Sequence, residues 1–197
     1  MTRLVLASKS AARAQLLAGA GLDFITVGAG VDESPIKAGM LGRGAEPREI
    51  ARVLAEEKAK AGSTRHDGLV IGADQTLDLD GALIDKADSL AEARQRLLEL
   101  RGREHRLHSG VAVARADELV FTHVETATLK VRDFSDAWLD AYLEKNGLEV
   151  LSSVGCYQLE GEGVQLFEQI QGDYFTILGL PLLSLLDFLR REKALPA

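Results

Sequence analysis

Val70-Ile71-Gly72-Ala73-Asp74-Gln75-Thr76-Leu77-Asp78-Leu79-Asp80-Gly81 decides how the rest of the chain is read. An apolar run reaches an acid, continues with alternating residues and ends in Asp-Gly, the pattern of a strand that carries a carboxylate to a sheet edge and then turns into a hairpin. In that hairpin Asp78 and Asp80 take outward positions, with Asp80-Gly81 as the turn. A carboxylate at a strand end either acts on a ligand or caps the backbone, and the stretch alone serves both readings equally.

Working outward, the first strand is Leu4 to Ala7. Ser8 and Ser10 then stand at the start of a helix through Leu16, Leu17 and Ala20, and such a junction leaves backbone N–H groups able to receive a phosphate, with Lys9 and Arg13 adding charge. No GxxxxGK[ST] or GxGxxG run follows a strand, which excludes the usual P-loop and dinucleotide-binding loops. Phe24 to Val27 forms a second strand. It leads through Gly28-Ala29-Gly30 to Asp32-Glu33, and the Gly-rich region Gly39 to Gly44 is expected to be a mobile loop. Pro47 opens a helix closed by Gly62, and a solvated last turn is the ordinary place for its Lys58 and Lys60. Ser89 to Glu92 is a capping box for the next helix. His105 and His108 flank a strand on opposite faces and serve no common metal.

Leu107 to Arg115 and Leu119 to Val131 pair as a hairpin. Ser135 caps a helix with Trp138 and Tyr142 one turn apart as core anchors, Gly155 to Gly163 is a candidate substrate-facing loop, and Pro181 opens a last apolar helix. The order of elements predicts an α/β fold, a twisted mixed β-sheet flanked by helices in two lobes around a substrate cleft.

The 197 residues are 46% hydrophobic and 27% charged with a net charge of -7, which fits a globular domain and argues against a surface that neutralises nucleic-acid phosphates. Cys156 is the single cysteine, so no intrachain disulfide forms and a reducing cytoplasm is expected. Ser8-Lys9-Ser10 breaks the first apolar run too early for a signal peptide. Tyr174 to Leu189 is too interrupted for a membrane span.

Ser8, Ser10, Arg13, Glu33, Lys58, Asp74 and Lys86 all sit near element ends. Two carboxylates with several cations suit a polyphosphate and a divalent ion, although spacing alone does not select these seven. Their order resembles the Maf family of nucleoside triphosphate pyrophosphatases nearly end to end: Leu6-Ala7-Ser8-Lys9-Ser10 with Arg13, Val31-Asp32-Glu33, Ala55-Glu56-Glu57-Lys58-Ala59, Gly72-Ala73-Asp74-Gln75, Lys86, Gly102-Arg103 with His105, and Gly172-Asp173-Tyr174 followed by Gly179-Leu180-Pro181-Leu182. The resemblance implies one Maf-like domain over residues 1–197, a Maf/inosine-triphosphatase-like fold, and cleavage of a nucleoside triphosphate between its α and β phosphates. It implies Mg²⁺ or Mn²⁺ held by Glu33 and Asp74, with Asp74 as proton acceptor and Glu33, Lys58 and Lys86 beside it in catalysis. Ser8, Ser10, Ala12, Arg13, Gln75 and Glu160 would contact the substrate. Gln75 and Glu160 resemble the branch that prefers 7-methyl-GTP, and a carboxylate at Glu160 favours a cationic methylated base. The family's Ser-Pro-Arg-Arg or Ser-Pro-Trp-Arg opening is Ser10-Ala11-Ala12-Arg13 here, and its Asp-Lys-Ala-Gly run is Ser152-Ser153-Val154-Gly155. A homodimer is implied as well. The alternative reading is a non-catalytic nucleotide-binding regulator of cell division and septum formation.

Overall fold

The computed structural model describes residues 3–196. Strands β1 (Leu4–Ala7), β2 (Phe24–Val27), β3 (Leu69–Leu79), β4 (Ala82–Ile84), β5 (Glu104–Arg115), β6 (Glu118–Val131) and β7 (Phe167–Gln171) form one sheet in the order β2-β1-β3-β5-β6-β7, with β4 paired to the far end of β3. β1 is parallel to β2 and β3, and the other pairs are antiparallel, so the sheet is mixed as expected. Helices α1 (Ala11–Gly19), α2 (Glu33–Leu41), α3 (Pro47–Ser63), α4 (Leu90–Leu100), α5 (Asp136–Asn146), α6 (Tyr174–Ile177) and α7 (Leu182–Arg191) flank it. Among the described residues no helix is long and apolar enough to cross a membrane.

Strand β3 belongs to two cores. Leu69, Ile71 and Ala73 pack with Leu17, Leu185, Phe188 and Leu189 of α1 and α7, whereas Leu77 and Leu79 pack with Leu97 and Leu100 of α4 and Leu139 of α5. All five β3 residues share one face, because side chains alternate along a strand. The helices covering that face thus fall into two groups, and the polar residues Asp74, Gln75 and Thr76 lie where one core gives way to the other.

Backbone pairing is broken at the same place. The β1 partnership ends at Ala7 opposite Gly72, and the β4 partnership begins only at Leu77 opposite Ile84. Among the described residues, Ala73 to Thr76 have no strand neighbour on that side. The expected position of Asp74 at a strand end is therefore corrected: β3 runs straight on to Leu79, and Asp74 meets an edge because the sheet has a local notch. The carboxyl end of a parallel strand is a usual ligand position in open α/β sheets, and the notch lies just past that end of β1.

The opposite face of β3 is covered by α3. Its buried stripe is Ile50, Ala51, Leu54, Ala55, Lys58, Ala59 and Gly62, spaced at helical intervals. The small residues let helix and sheet backbones approach closely. A Cβ on Gly72 would lie 2.3 Å from Ala55 O, and one on Gly110 would lie 2.5 Å from Ala51 O. Glycine is therefore a steric requirement at both positions.

Two further expectations change. Glu33 to Leu41 is helix α2, so the loop reading of Gly39 to Gly44 holds only beyond Leu41. Asp32 caps α2 by accepting from Ser34 N at 3.2 Å, Pro35 falls in the first turn where it costs no hydrogen bond, and Ile36 and Met40 pack on Ile50 and Leu54. Asp78 does not face outward. It is 7% exposed, accepts from Gly81 N at 2.6 Å and lies 3.2 Å from His108 Nε2. The hairpin turn itself is as expected, with Asp80 and Gly81 both at positive φ.

Candidate active site

At the notch the carboxylate of Asp74 and the ammonium of Lys58 meet. Lys58 Nζ lies 2.6 Å from Asp74 Oδ1 and 2.7 Å from Glu33 Oε1, making a carboxylate–ammonium–carboxylate chain. Lys58 and Asp74 are 8% and 7% exposed, so Lys58 is not in a solvated last turn. It occupies the buried stripe of α3 one turn after Leu54, and that stripe faces β3. Burial raises the Asp74 carboxyl above its ordinary value, with Lys58 and Arg13 opposing. For Glu33 burial pushes upward too, but Lys58, Lys37 and Arg13 outweigh it and hold the carboxyl low.

Arg13 comes from α1. Ser10 caps that helix by accepting from Arg13 N at 3.4 Å, and Ser8 Oγ accepts from Ser10 N and from Arg13 Nη1, each at 3.2 Å. The guanidinium also donates from Nη1 to Ala73 O at 2.9 Å and from Nε to Gly179 O at 2.8 Å. Ala73 O is one of the carbonyls left bare by the notch, so Arg13 joins α1, β3 and the turn after α6. Burial lowers its pKa from the ordinary value while Asp74 and Glu33 pull it back up. An arginine remains charged throughout.

The open cleft over this floor measures about 1090 Å³ and is lined by every candidate position named from the sequence: Ser8, Ser10, Ala12, Arg13, Glu33, Lys58, Asp74, Gln75, Lys86 and Glu160. Lys86 follows β4 and makes no ion pair among the described residues. Burial, followed by the charge on Arg13, lowers its pKa. Glu160 is exposed on the wall formed by the loop after α5, where Ser153, Gly155 and Tyr157 also face the cleft. Gln75 is more committed than the sequence implied. Its Nε2 lies 3.0 Å from Ser109 Oγ, Thr176 O and Ile177 O, which ties β3 to α6 and leaves only its carbonyl oxygen for a ligand.

The sequence reading missed Lys37. It lies one turn after Glu33 on α2, lines the cleft, and pairs with Asp85 Oδ1 at 2.8 Å and Glu33 Oε2 at 4.0 Å. Had the Asp32 cap been recognised, the i, i+4 spacing would have placed Lys37 beside Glu33. His105 and His108 both lie within β5 and are buried. His105 Nε2 is 2.6 Å from Tyr157 Oη, and His108 lies between Asp78 and Thr126.

Glu33 and Asp74 supply the hard oxygen donors that Mg²⁺ or Mn²⁺ prefers. No cluster of three or more ligating groups exists among the described residues. Such a donor set fits an ion whose remaining ligands are substrate oxygens and water.

A mixed α/β sheet with a notch at the carboxyl end of its parallel strands, where Asp74 and Glu33 meet Lys58 and share the cleft with Arg13, Lys37 and Lys86, carries the charge set that suits a polyphosphate together with a divalent ion. Residues 3–192 match the family model described as Maf-like protein, and the chain belongs to that family. It is 61% identical over 195 residues to a nucleoside triphosphate pyrophosphatase of Caulobacter vibrioides, covering 99% of this chain and 98% of that one. It is 48% identical to a 7-methyl-GTP pyrophosphatase of Rhizobium meliloti, covering 98% of each. Among solved structures, a nucleoside-triphosphatase / dITP/XTP pyrophosphatase of Mycobacterium abscessus is similar at TM-score 0.45 and 16% identity, covering 96% of each chain.

Proposed function

We propose that the chain hydrolyses a nucleoside triphosphate to the monophosphate and pyrophosphate, with a base of the 7-methylguanine type. The observation that carries the proposal is the Asp74–Lys58–Glu33 chain at the sheet notch, within a cleft that also holds Arg13 and Lys86. The similarity to the Caulobacter nucleoside triphosphate pyrophosphatase and the Rhizobium 7-methyl-GTP pyrophosphatase supports the same reaction.

In this reading Ser8, Ser10, Arg13 and Lys86 receive the phosphates, and Lys58 fixes the orientation of both carboxylates. Asp74 accepts the proton from the attacking water. Water oxygen bonds to the α-phosphorus, the Pα–O bond to the β-phosphate breaks, and pyrophosphate leaves with the electron pair. Glu33 and Asp74 would hold Mg²⁺ or Mn²⁺, which supplies charge neutralisation on the phosphates when bound. Glu160, on the opposite wall, gives a methylated, cationic base a carboxylate partner, and Gln75 presents its carbonyl oxygen. We take residues 1–197 as a single Maf-like domain acting in the cytoplasm, as a homodimer.

The test is pyrophosphate release from 7-methyl-GTP, UTP, dTTP and CTP with Mg²⁺ or Mn²⁺. The proposal expects pyrophosphate as the product and 7-methyl-GTP as the preferred substrate, with Glu160→Gln narrowing that preference. Orthophosphate as product would refute the reaction, and tight nucleotide binding without turnover would support a regulator instead.

A further inference from the structure

Among the described residues Lys86 has no carboxylate to hold it, so the backbone that precedes it sets its position. The Asp85 carbonyl accepts from Arg96 Nη1 at 2.6 Å, and the same nitrogen is 3.3 Å from Val154 O. Arg96 stands on α4 behind both cleft segments, the one that carries Lys86 and the one that leads into the wall bearing Glu160. Its side chain is only 16% exposed, its Nε is buried with no hydrogen-bond partner among the described residues, and Glu99 Oε2 is 3.7 Å away. The buried positions of α4 are Ala93, Leu97 and Leu100. A methionine at 96 would be buried without the desolvation cost of a guanidinium, so this arginine's effect lies in what its two bonds fix.

We infer that Arg96 is a positioning residue that joins the Lys86 segment to the base-facing wall, so that the phosphate-binding cation and the specificity wall hold a fixed separation. Asp85 is clasped on its other side as well, because its carboxylate pairs with Lys37 of α2 at 2.8 Å. The peptide ahead of Lys86 is thus held by its carbonyl from α4 and by its side chain from α2. Loss of Arg96 leaves only the exposed clasp, and Lys86 then samples positions in which it cannot meet a phosphate.

This inference rests on the reading of the cleft as the nucleotide site. The experiment is a double-mutant cycle in the full chain: Arg96→Met and Arg96→Lys, each alone and combined with Lys86→Ala. KM and kcat for pyrophosphate release are measured well below each variant's unfolding temperature. Arg96→Met is expected to raise KM about tenfold, the worth of a hydrogen bond to a charged donor. Arg96→Lys, whose ammonium also reaches carbonyl oxygens, restores most of it. In the Arg96→Met background Lys86→Ala adds little, because Lys86 is already misplaced. Full additivity of the two substitutions, or an unchanged KM in Arg96→Met, overturns the inference. Should Arg96→Met fail to fold, the cycle built on Arg96→Gln, whose shorter neutral side chain cannot hold both carbonyls, gives the same decision: sub-additive effects support the inference and additive ones overturn it. If Lys86→Ala leaves the wild-type rate untouched, the cleft reading itself fails and this inference falls with it.

Discussion

Replacing Gly72 by alanine tests whether the approach of α3 to the sheet sets the geometry of the site. The added Cβ would lie 2.3 Å from Ala55 O, 2.4 Å from Ala59 N and 2.9 Å from Ala59 Cα. All three are backbone atoms, so no side-chain rotation relieves the clash, and recovery of van der Waals contact requires α3 to move by about 1 Å. Lys58 lies on α3 between those two residues, with its Nζ 2.6 Å from Asp74 Oδ1. A shift of about 1 Å takes that contact out of hydrogen-bond range. Overpacking of this kind costs about 1–3 kcal/mol of stability, and misplacement of a catalytic group by an ångström costs about 100-fold in rate. Thermal unfolding and kcat/KM, the latter taken far below the variant's midpoint, measure the two effects separately. Gly39→Ala is the control, because a Cβ there meets nothing within 4 Å. A Gly72→Ala enzyme within twofold of wild-type rate and melting like the parent would refute the coupling of α3 packing to the site.

Lys58→Met leaves the buried Asp74 without its ammonium partner and is expected to cost about 3 kcal/mol at neutral pH, less at acid pH where Asp74 takes up a proton; denaturant titrations at two pH values check this. His105 is buried beside Tyr157 and Phe167, and burial lowers its pKa from 6.5 to about 4. The fold favours its neutral form, so its contribution is complete above pH 6.5 and falls by about 3 kcal/mol between pH 6.5 and 4 as the unfolded chain protonates. His105→Gln should flatten that slope, and an unchanged slope would contradict the burial argument. The profile of kcat/KM against pH should have an acid limb above the ordinary aspartate range, where Asp74 protonates, and an alkaline limb below the ordinary lysine range, where Lys86 loses its proton. Lys86→Arg should carry the alkaline limb upward, and a limb that stays in place removes Lys86 from the assignment.

The elements legible in the sequence were those whose signals are local. Ser10, Ser89 and Ser135 marked helix starts by their hydroxyls, Asp80-Gly81 marked a turn, and Pro47 opened α3. Helix α2 was hidden by the glycines at 39, 42 and 44, although its cap at Asp32 and its Ile36 and Met40 pair were in view. The error at Asp78 had a different origin. Asp74, Thr76 and Asp78 share one face of β3 by strand alternation, but nothing local to β3 says that α3 and His108 cover that face. For Lys58, the stripe of Ile50, Leu54 and the alanines at 51, 55 and 59 already pointed inward, and only its residue type suggested solvent. The candidate site residues were chosen by family resemblance, and the structure brings them to one cleft. Arg96 and the notch that exposes Ala73 O depend on strand pairing and carbonyls far apart in sequence, and no local pattern announces them.

The central claim is that Asp74 activates water for attack at the α-phosphorus of a nucleoside triphosphate in this cleft. A single-turnover reaction in ¹⁸O-water, with products read by mass spectrometry for the wild type and for Asp74→Asn, tests it most directly. The account predicts label in the monophosphate and none in the pyrophosphate, and a rate at least about 100-fold lower in Asp74→Asn. Label in the pyrophosphate, or an Asp74→Asn enzyme at full rate, would contradict it.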